Sequence, residues 1–169
     1  GGGKFTHAGD AWTFQQVRVG LGRTRLALDG RIDRTADLRF AVTAEDLSLL
    51  SAGSRGHLQA DGTVRGPLDA PDIVATARGA DILYDGVSLS RFDAKVDFDP
   101  SSHRRSSIAA HLRELRFRRR SVHSLDITVD GPASAVTARL AAQAPGLHLS
   151  ATAGGSISRG IFGGNLHSL

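Results

Sequence analysis

Residues 37–44 read Asp37-Leu38-Arg39-Phe40-Ala41-Val42-Thr43-Ala44. Leu38, Phe40, Val42 and Ala44 take every second position, and Asp37, Arg39, Ala41 and Thr43 fill the gaps. Successive side chains of an extended chain point to opposite sides, so this spacing describes a strand with one oily face and one wet face. Phe92, Ala94, Val96 and Phe98 repeat the pattern against Asp93, Lys95, Asp97 and Asp99. Working outward, Trp12 and Phe14 precede Val17, Val19 and Leu21 with a change of phase that predicts a bulge. Leu26 and Leu28, Leu58 and Val64, Ile108 to Leu112, Leu125 to Val129, Val136 to Leu140 and Leu147 to Ala153 continue the alternation. Residues 104–120 have the composition most suited to a helix, yet Ile108, Ala110 and Leu112 still alternate. The chain reads as all-β.

Asp-Gly pairs at Asp29-Gly30, Asp61-Gly62, Asp85-Gly86 and Asp130-Gly131 are two-residue turn signals, because both positions of a type I′ turn need positive φ. Some are equally readable as kinks inside a strand, since Gly62 runs directly into Thr63-Val64-Arg65-Gly66. Their spacing is irregular, which describes meandering strands and no fixed-period solenoid. One-sided strands can hide their apolar faces in two ways: two sheets close into a sandwich, or one long sheet curls around an unfilled trough. Aromatic residues are 5% of the chain, a thin supply of core anchors for a sandwich. The expectation is one elongated, curled antiparallel sheet, a half-pipe with an apolar concave interior, spanning residues 1–169 as a single continuous unit.

Composition narrows the function. No stretch approaches 18 consecutive apolar residues, so no helical membrane span is expected. Cysteine is absent, which removes disulfides and thiolate chemistry. Methionine is absent too, and the chain opens Gly1-Gly2-Gly3; the expectation is a segment of a longer protein whose membrane anchor lies outside it. Arginine supplies all but two of the 21 basic residues, while 17 acidic residues nearly balance them. The high isoelectric point is therefore weak support for a polyanionic partner, and the few aromatics offer no stacking platform, so no nucleic acid is expected.

Catalytic patterns are wanting. The seven histidines stand apart without metal-ligand spacing, and His148, between Leu147 and Leu149, is expected on the wet face. Asp93, Asp97 and Asp99 share a strand face and could attract calcium, but a solvated, charge-guarded face explains them better. Two glutamates, Glu45 and Glu114, lie far apart, giving a glycosidase-like pair little to build on. Gly20-Leu21-Gly22 lacks the third glycine of a nucleotide fingerprint, and no nucleophile elbow occurs. The expectation is a non-enzyme without cofactor or metal. One charged cluster stands out, Arg113, Arg116, Arg118, Arg119 and Arg120, with Arg104 and Arg105 before it. It reads chiefly as a solvated Arg-rich face, and otherwise as a contact for anionic lipid headgroups through Arg116, Arg118, Arg119 and Arg120.

Longer segments carry a resemblance. Asp46-Leu47-Ser48-Leu49-Leu50 is followed by Gly56-His57-Leu58-Gln59-Ala60-Asp61-Gly62-Thr63-Val64-Arg65-Gly66-Pro67-Leu68-Asp69-Ala70-Pro71, then by Gly79-Ala80-Asp81-Ile82-Leu83-Tyr84-Asp85-Gly86-Val87-Ser88-Leu89. Leu125 to Gly131, Gly146 to Ser150 and Gly155 to Leu166 complete an order that resembles the TamB family, within the AsmA-like group, over nearly the whole chain from Trp12. The resemblance implies a long β-groove in the periplasm of a Gram-negative bacterium, with the full-length protein anchored in the inner membrane. It implies phospholipid carriage between inner and outer membranes, with acyl chains in the groove, and support of outer-membrane protein assembly with a TamA-like β-barrel partner. An alternative function is a protein-binding module that templates β-strands of outer-membrane proteins. The residues expected to line the groove are Leu26, Leu28, Leu38, Phe40, Val42, Leu58, Val64, Phe92, Val96, Phe98, Leu125, Ile127, Val129, Leu147 and Leu149.

Overall fold

A computed structural model describes the backbone of residues 1–49, 52–100, 104–118, 120–158 and 161–168, and side chains within these ranges up to residue 156. Twelve strands follow one another: β1 (Gly2–Ala8), β2 (Ala11–Leu21), β3 (Thr24–Ile32), β4 (Thr35–Ala44), β5 (Arg55–Pro67), β6 (Asp72–Tyr84), β7 (Val87–Phe98), β8 (Ser106–Phe117), β9 (Arg120–Gly131), β10 (Val136–Ala144), β11 (Leu147–Ser158) and β12 (Ile161–Ser168). A single 3₁₀ turn, Leu47–Leu49, interrupts the connection from β4 to β5. Each strand pairs antiparallel with the next, so spatial order equals chain order in one sheet that curls without closing. At about 4.8 Å between strands, the sheet extends roughly 53 Å from β1 to β12. Residues 106–117, helix-like by composition, form β8 because the alternation of Ile108, Ala110 and Leu112 outweighs arginine content.

Only one Asp-Gly pair makes a tight hairpin. Asp85 (φ 45°) and Gly86 (φ 75°) both take positive φ between β6 and β7, as a type I′ turn requires. Asp29-Gly30 and Asp61-Gly62 lie inside β3 and β5, and Asp130-Gly131 ends β9, so the turn reading of these three is corrected. Close packing across the ladder accounts for the glycine in β3. A Cβ at Gly30 would collide with the Asp37 carbonyl oxygen across on β4. The change of phase in β2 is a bulge: pairing with β3 shifts between Phe14 and Val17, and Gln16 (φ 49°) turns its N–H onto the Asp29 carboxylate at 2.8 Å.

Among the described residues no second layer packs on the sheet. Substantial contacts between elements join only chain neighbours, and the buried apolar residues are small: Ala36, Ala44, Ala133 and Val136. The sandwich is thereby excluded among the described residues. Cohesion comes from the backbone ladder and from neighbours along each face. On the polar face, Arg65 meets Asp37 at 3.4 Å and the Thr76 hydroxyl donates to Asp61 at 3.0 Å. Arg104 stands among Asp72 (3.0 Å), Asp97 (3.3 Å) and Asp99 (3.5 Å), so an arginine serves two of the three carboxylates considered for calcium, Asp97 and Asp99. In the β3–β4 turn, the Thr35 N–H and hydroxyl hold the Asp33 carboxyl below its ordinary value of 3.8.

Candidate lipid-binding face

Residues directly opposite in adjacent strands share a face, so the registers decide which side chains assemble. One row runs Val19–Leu26–Val42–Ala60–Ala77–Ala94–Ala110–Ile127–Leu140–Ala151, crossing from β2 to β11. A second runs Val17–Leu28–Phe40–Gly62–Ala75–Val96–Ile108–Val129–Ala138–Ala153 through the same pairings. Flanking these are Leu38, Val64, Ile73 and Phe98 on one side, and Ala44, Leu58, Gly79, Phe92, Leu112, Leu125, Ala142 and Leu149 on the other. All fifteen residues expected to line a groove therefore stand on one continuous face. Leu147, opposite Ala144, joins them at the end of β11, where it and Leu149 are 58% and 51% exposed. The registers also place there residues absent from that set of fifteen: the alanines of β5 to β8, together with Val17, Val19, Ile73, Ile108, Leu112 and Leu140.

The face is sheltered without being covered. Phe92, Ala94 and Val96 are half-buried while Asp93 and Lys95 beside them are exposed. With no second layer present, neighbours on the curled face supply this shielding. Gly79 is fully buried because the Phe92 ring and the Ile82 Cδ1 fill the space where its Cβ would lie.

A crease crosses four strands without breaking the face. Asp81 (φ 52°) in β6 and Glu114 (φ 51°) in β8 adopt the left-handed region, and the pairs 81/90, 90/114 and 114/123 are missing from otherwise constant registers. Apolar spacing lengthens there from two residues to three: Gly79 to Ile82, Leu89 to Phe92, Leu112 to Leu115 and Val122 to Leu125. Ile82 lies beside Gly79 and Phe92, and it pairs with Leu89, which pairs with Leu115, which pairs with Val122. The crease thus adds a further apolar row, one that strict alternation assigns to the wrong side.

The opposite face is polar. One of its rows runs Arg25–Thr43–Gln59–Arg78–Asp93–His111–Asp126, with His111 Nδ1 and Asp126 Oδ1 2.6 Å apart. His148 pairs with Gln143 on this side, where the alternation assigns it. Two sizeable depressions open here, about 1200 Å³ beside Lys4, Arg18 and Arg25, and about 400 Å³ beside His57, Arg78 and Arg91. Among the described residues no three acidic or histidine side chains gather as a metal site. The apolar face, by contrast, holds no ionisable group in the two rows given above. Its chemistry is solvation.

Of the arginines considered for headgroup contact, Arg119 lies outside the described residues. Arg116 stands one residue before the end of β8, opposite Ser88 and Ser121, Arg118 (φ 56°) stands in the β8–β9 turn with its guanidinium 5.1 Å from the Phe117 ring centre, and Arg120 opens β9. They gather at one margin of the apolar face, not within it. No helix among the described residues is long and apolar enough to cross a membrane.

No curated protein and no solved structure matches the chain. The family model for the N-terminal domain of TamB matches residues 2–169, and with that match over a curled, uncovered β-sheet the chain belongs to the TamB family.

Proposed function

We propose that this domain is a non-catalytic conduit whose apolar face shelters phospholipid acyl chains on their way between the inner and outer membranes of a Gram-negative envelope. One observation carries the reading: an uninterrupted apolar face, crossing from β2 to β11, that the described residues leave uncovered. Soluble proteins rarely leave so long an apolar strip open without an occupant. Each methylene withdrawn from water contributes about 0.8 kcal/mol, so an acyl chain laid along the trough is held strongly by solvation alone. Polar headgroups stay in solvent beyond the margins. No acid, base or nucleophile is required, and the full-length protein, anchored in the inner membrane outside this segment, would present the trough in the periplasm.

Photocrosslinking tests the reading directly. Reactive side chains placed at Phe40 or Val96 should capture phospholipid, while those at Arg39 or Lys95 on the polar face should not. The inverse labelling would overturn the proposal. Arginine at Phe40 or Val96 should block lipid passage more than it lowers stability, because each site is half-open and admits a snorkelling side chain.

A second reading rests on a different feature. Within the described sheet β1 and β12 stand outermost, and an edge strand of such a sheet could pair with an incoming strand of an outer-membrane protein, in concert with a TamA-like barrel. Proline at alternate positions of an edge strand should abolish assembly under this reading and leave lipid capture at Phe40 intact.

A further inference from the structure

Strands running to and fro give the trough two long edges built of turns, and the two edges differ chemically. Along the first stand the connections that follow β2, β4, β6, β8 and β10. Each presents an exposed apolar tip: Leu21, Leu49, Tyr84, Phe117 and Leu147 in turn. Four of these belong to the apolar face itself, since Leu21 pairs with Thr24, Tyr84 and Phe117 both pair with Val87, and Leu147 pairs with Ala144. Leu49 reaches the same edge from the 3₁₀ turn, its Cδ1 close over Gly22. Arg23, Arg55, Arg116, Arg118 and Arg120 stand between the tips. The carboxylates here are fewer and largely engaged: Glu45 with Arg23 at 3.5 Å, and Asp46 accepting the Ser48 N–H at 2.9 Å, leaving Asp85.

The second edge carries Asp10, Asp33, Asp69, Asp72, Asp99 and Asp130 in or beside its turns. Its Arg104 is committed to Asp72, Asp97 and Asp99, leaving Arg34 and Arg105 exposed among more numerous carboxylates, and its exposed large apolar residues are Leu68 and Trp12, the latter stacked on His7. The trough is therefore polarised across its width, apolar with an excess of arginine on one margin, with an excess of carboxylates on the other.

We propose that the first edge is a docking rim that lies along an anionic phospholipid surface. Adjacent tips on this edge are two strands apart, about 10 Å, and the row from Leu21 to Leu147 runs roughly 38 Å. Shallow tips spread along such a line suit a fluid lipid surface, which deforms to admit each one. A folded protein partner would need a pocket for every tip. Tyrosine and phenylalanine favour the level of the headgroups, and arginine keeps its charge at the phosphates while its stem lies along apolar surface. Arg118 over the Phe117 ring joins both functions in one turn. The acidic margin faces away from such a surface. This rim does not depend on acyl chains entering the trough, though it would set the trough's mouth against their source.

The test is sedimentation of the chain with phosphatidylcholine vesicles, with and without phosphatidylglycerol. Binding should require the anionic lipid and weaken as salt rises. Arg116→Gln, Arg118→Gln and Arg120→Gln combined should weaken it roughly tenfold or more. Tyr84→Ser with Phe117→Ser should weaken it comparably, with the strand circular dichroism unchanged because both side chains are exposed. Leu68→Ser with Arg105→Gln on the second edge should leave binding at the parent level. Phe40→Arg should also retain vesicle binding while losing acyl capture, which separates the rim from the trough. No binding to anionic vesicles, equal loss from second-edge substitutions, or abolition by Phe40→Arg would each overturn the rim.

Discussion

Gly79 shows how a missing side chain shapes the apolar face. Its neighbours on the face, Leu58 and Phe92, are large, and the Phe92 ring tilts into the space above Gly79 while the Ile82 Cδ1 would lie 2.8 Å from a Cβ there. Gly79→Ala should therefore cost about 1–3 kcal/mol in urea unfolding, an overpacking penalty at a buried site. Phe92→Leu introduced into the same chain should recover part of that loss. An additive double mutant would mean that the ring does not occupy the site. The glycine itself was legible in the sequence within Gly79-Ala80-Asp81, but only as family pattern. Its partner is thirteen residues away along the chain and becomes visible only through the β6–β7 register.

Strands β6 to β9 carry the crease, and there backbone strain has a structural use. Glutamate in the left-handed region costs about 1–2 kcal/mol relative to ordinary strand geometry. That cost shifts the phase so that Leu115 joins the apolar face after Leu112. Glu114→Gly relieves the strain but gives up the 3.2 Å contact with His123, which is exposed and worth at most about 1 kcal/mol. The expected outcome is a stability within about 1 kcal/mol of the parent. Glu114→Val should cost about 2 kcal/mol or more, because a β-branched side chain resists positive φ. Equilibrium unfolding of the two variants checks this, and equal effects would show that the conformation is not fixed there. Alternation located these strands. It gave Ile82, Leu89, Leu115 and Val122 no place on the apolar face, because a period of two cannot announce a local step of three.

At the scale of the molecule, stability comes from a ladder and one sheltered face instead of an enclosed core. Val96→Ala on the trough should then cost less than about 1 kcal/mol, since the side chain is half-exposed already. Val136→Ala should approach about 2 kcal/mol, the behaviour of a buried aliphatic, because Val136 is 2% exposed. Chemical denaturation of both gives the comparison, and similar costs would indicate a packed layer over the trough. A hydrophobic dye should also bind the native protein under conditions where its strand spectrum is intact. The amino-acid sequence by itself determined the strands and their two-faced character, since alternation follows from the geometry of an extended backbone and needs no long-range information. It placed fifteen residues on one apolar face for the same reason. Whether the apolar faces would meet a second sheet or stay open was decided only by tertiary structure. Both outcomes bury the same residue types, and the difference lies in pairing order: each strand here takes its chain neighbour, so no strand returns to cover another. The contrast between the two edges was likewise hidden, because tips spread from Leu21 to Leu147 become one margin only when every second turn is brought to the same side.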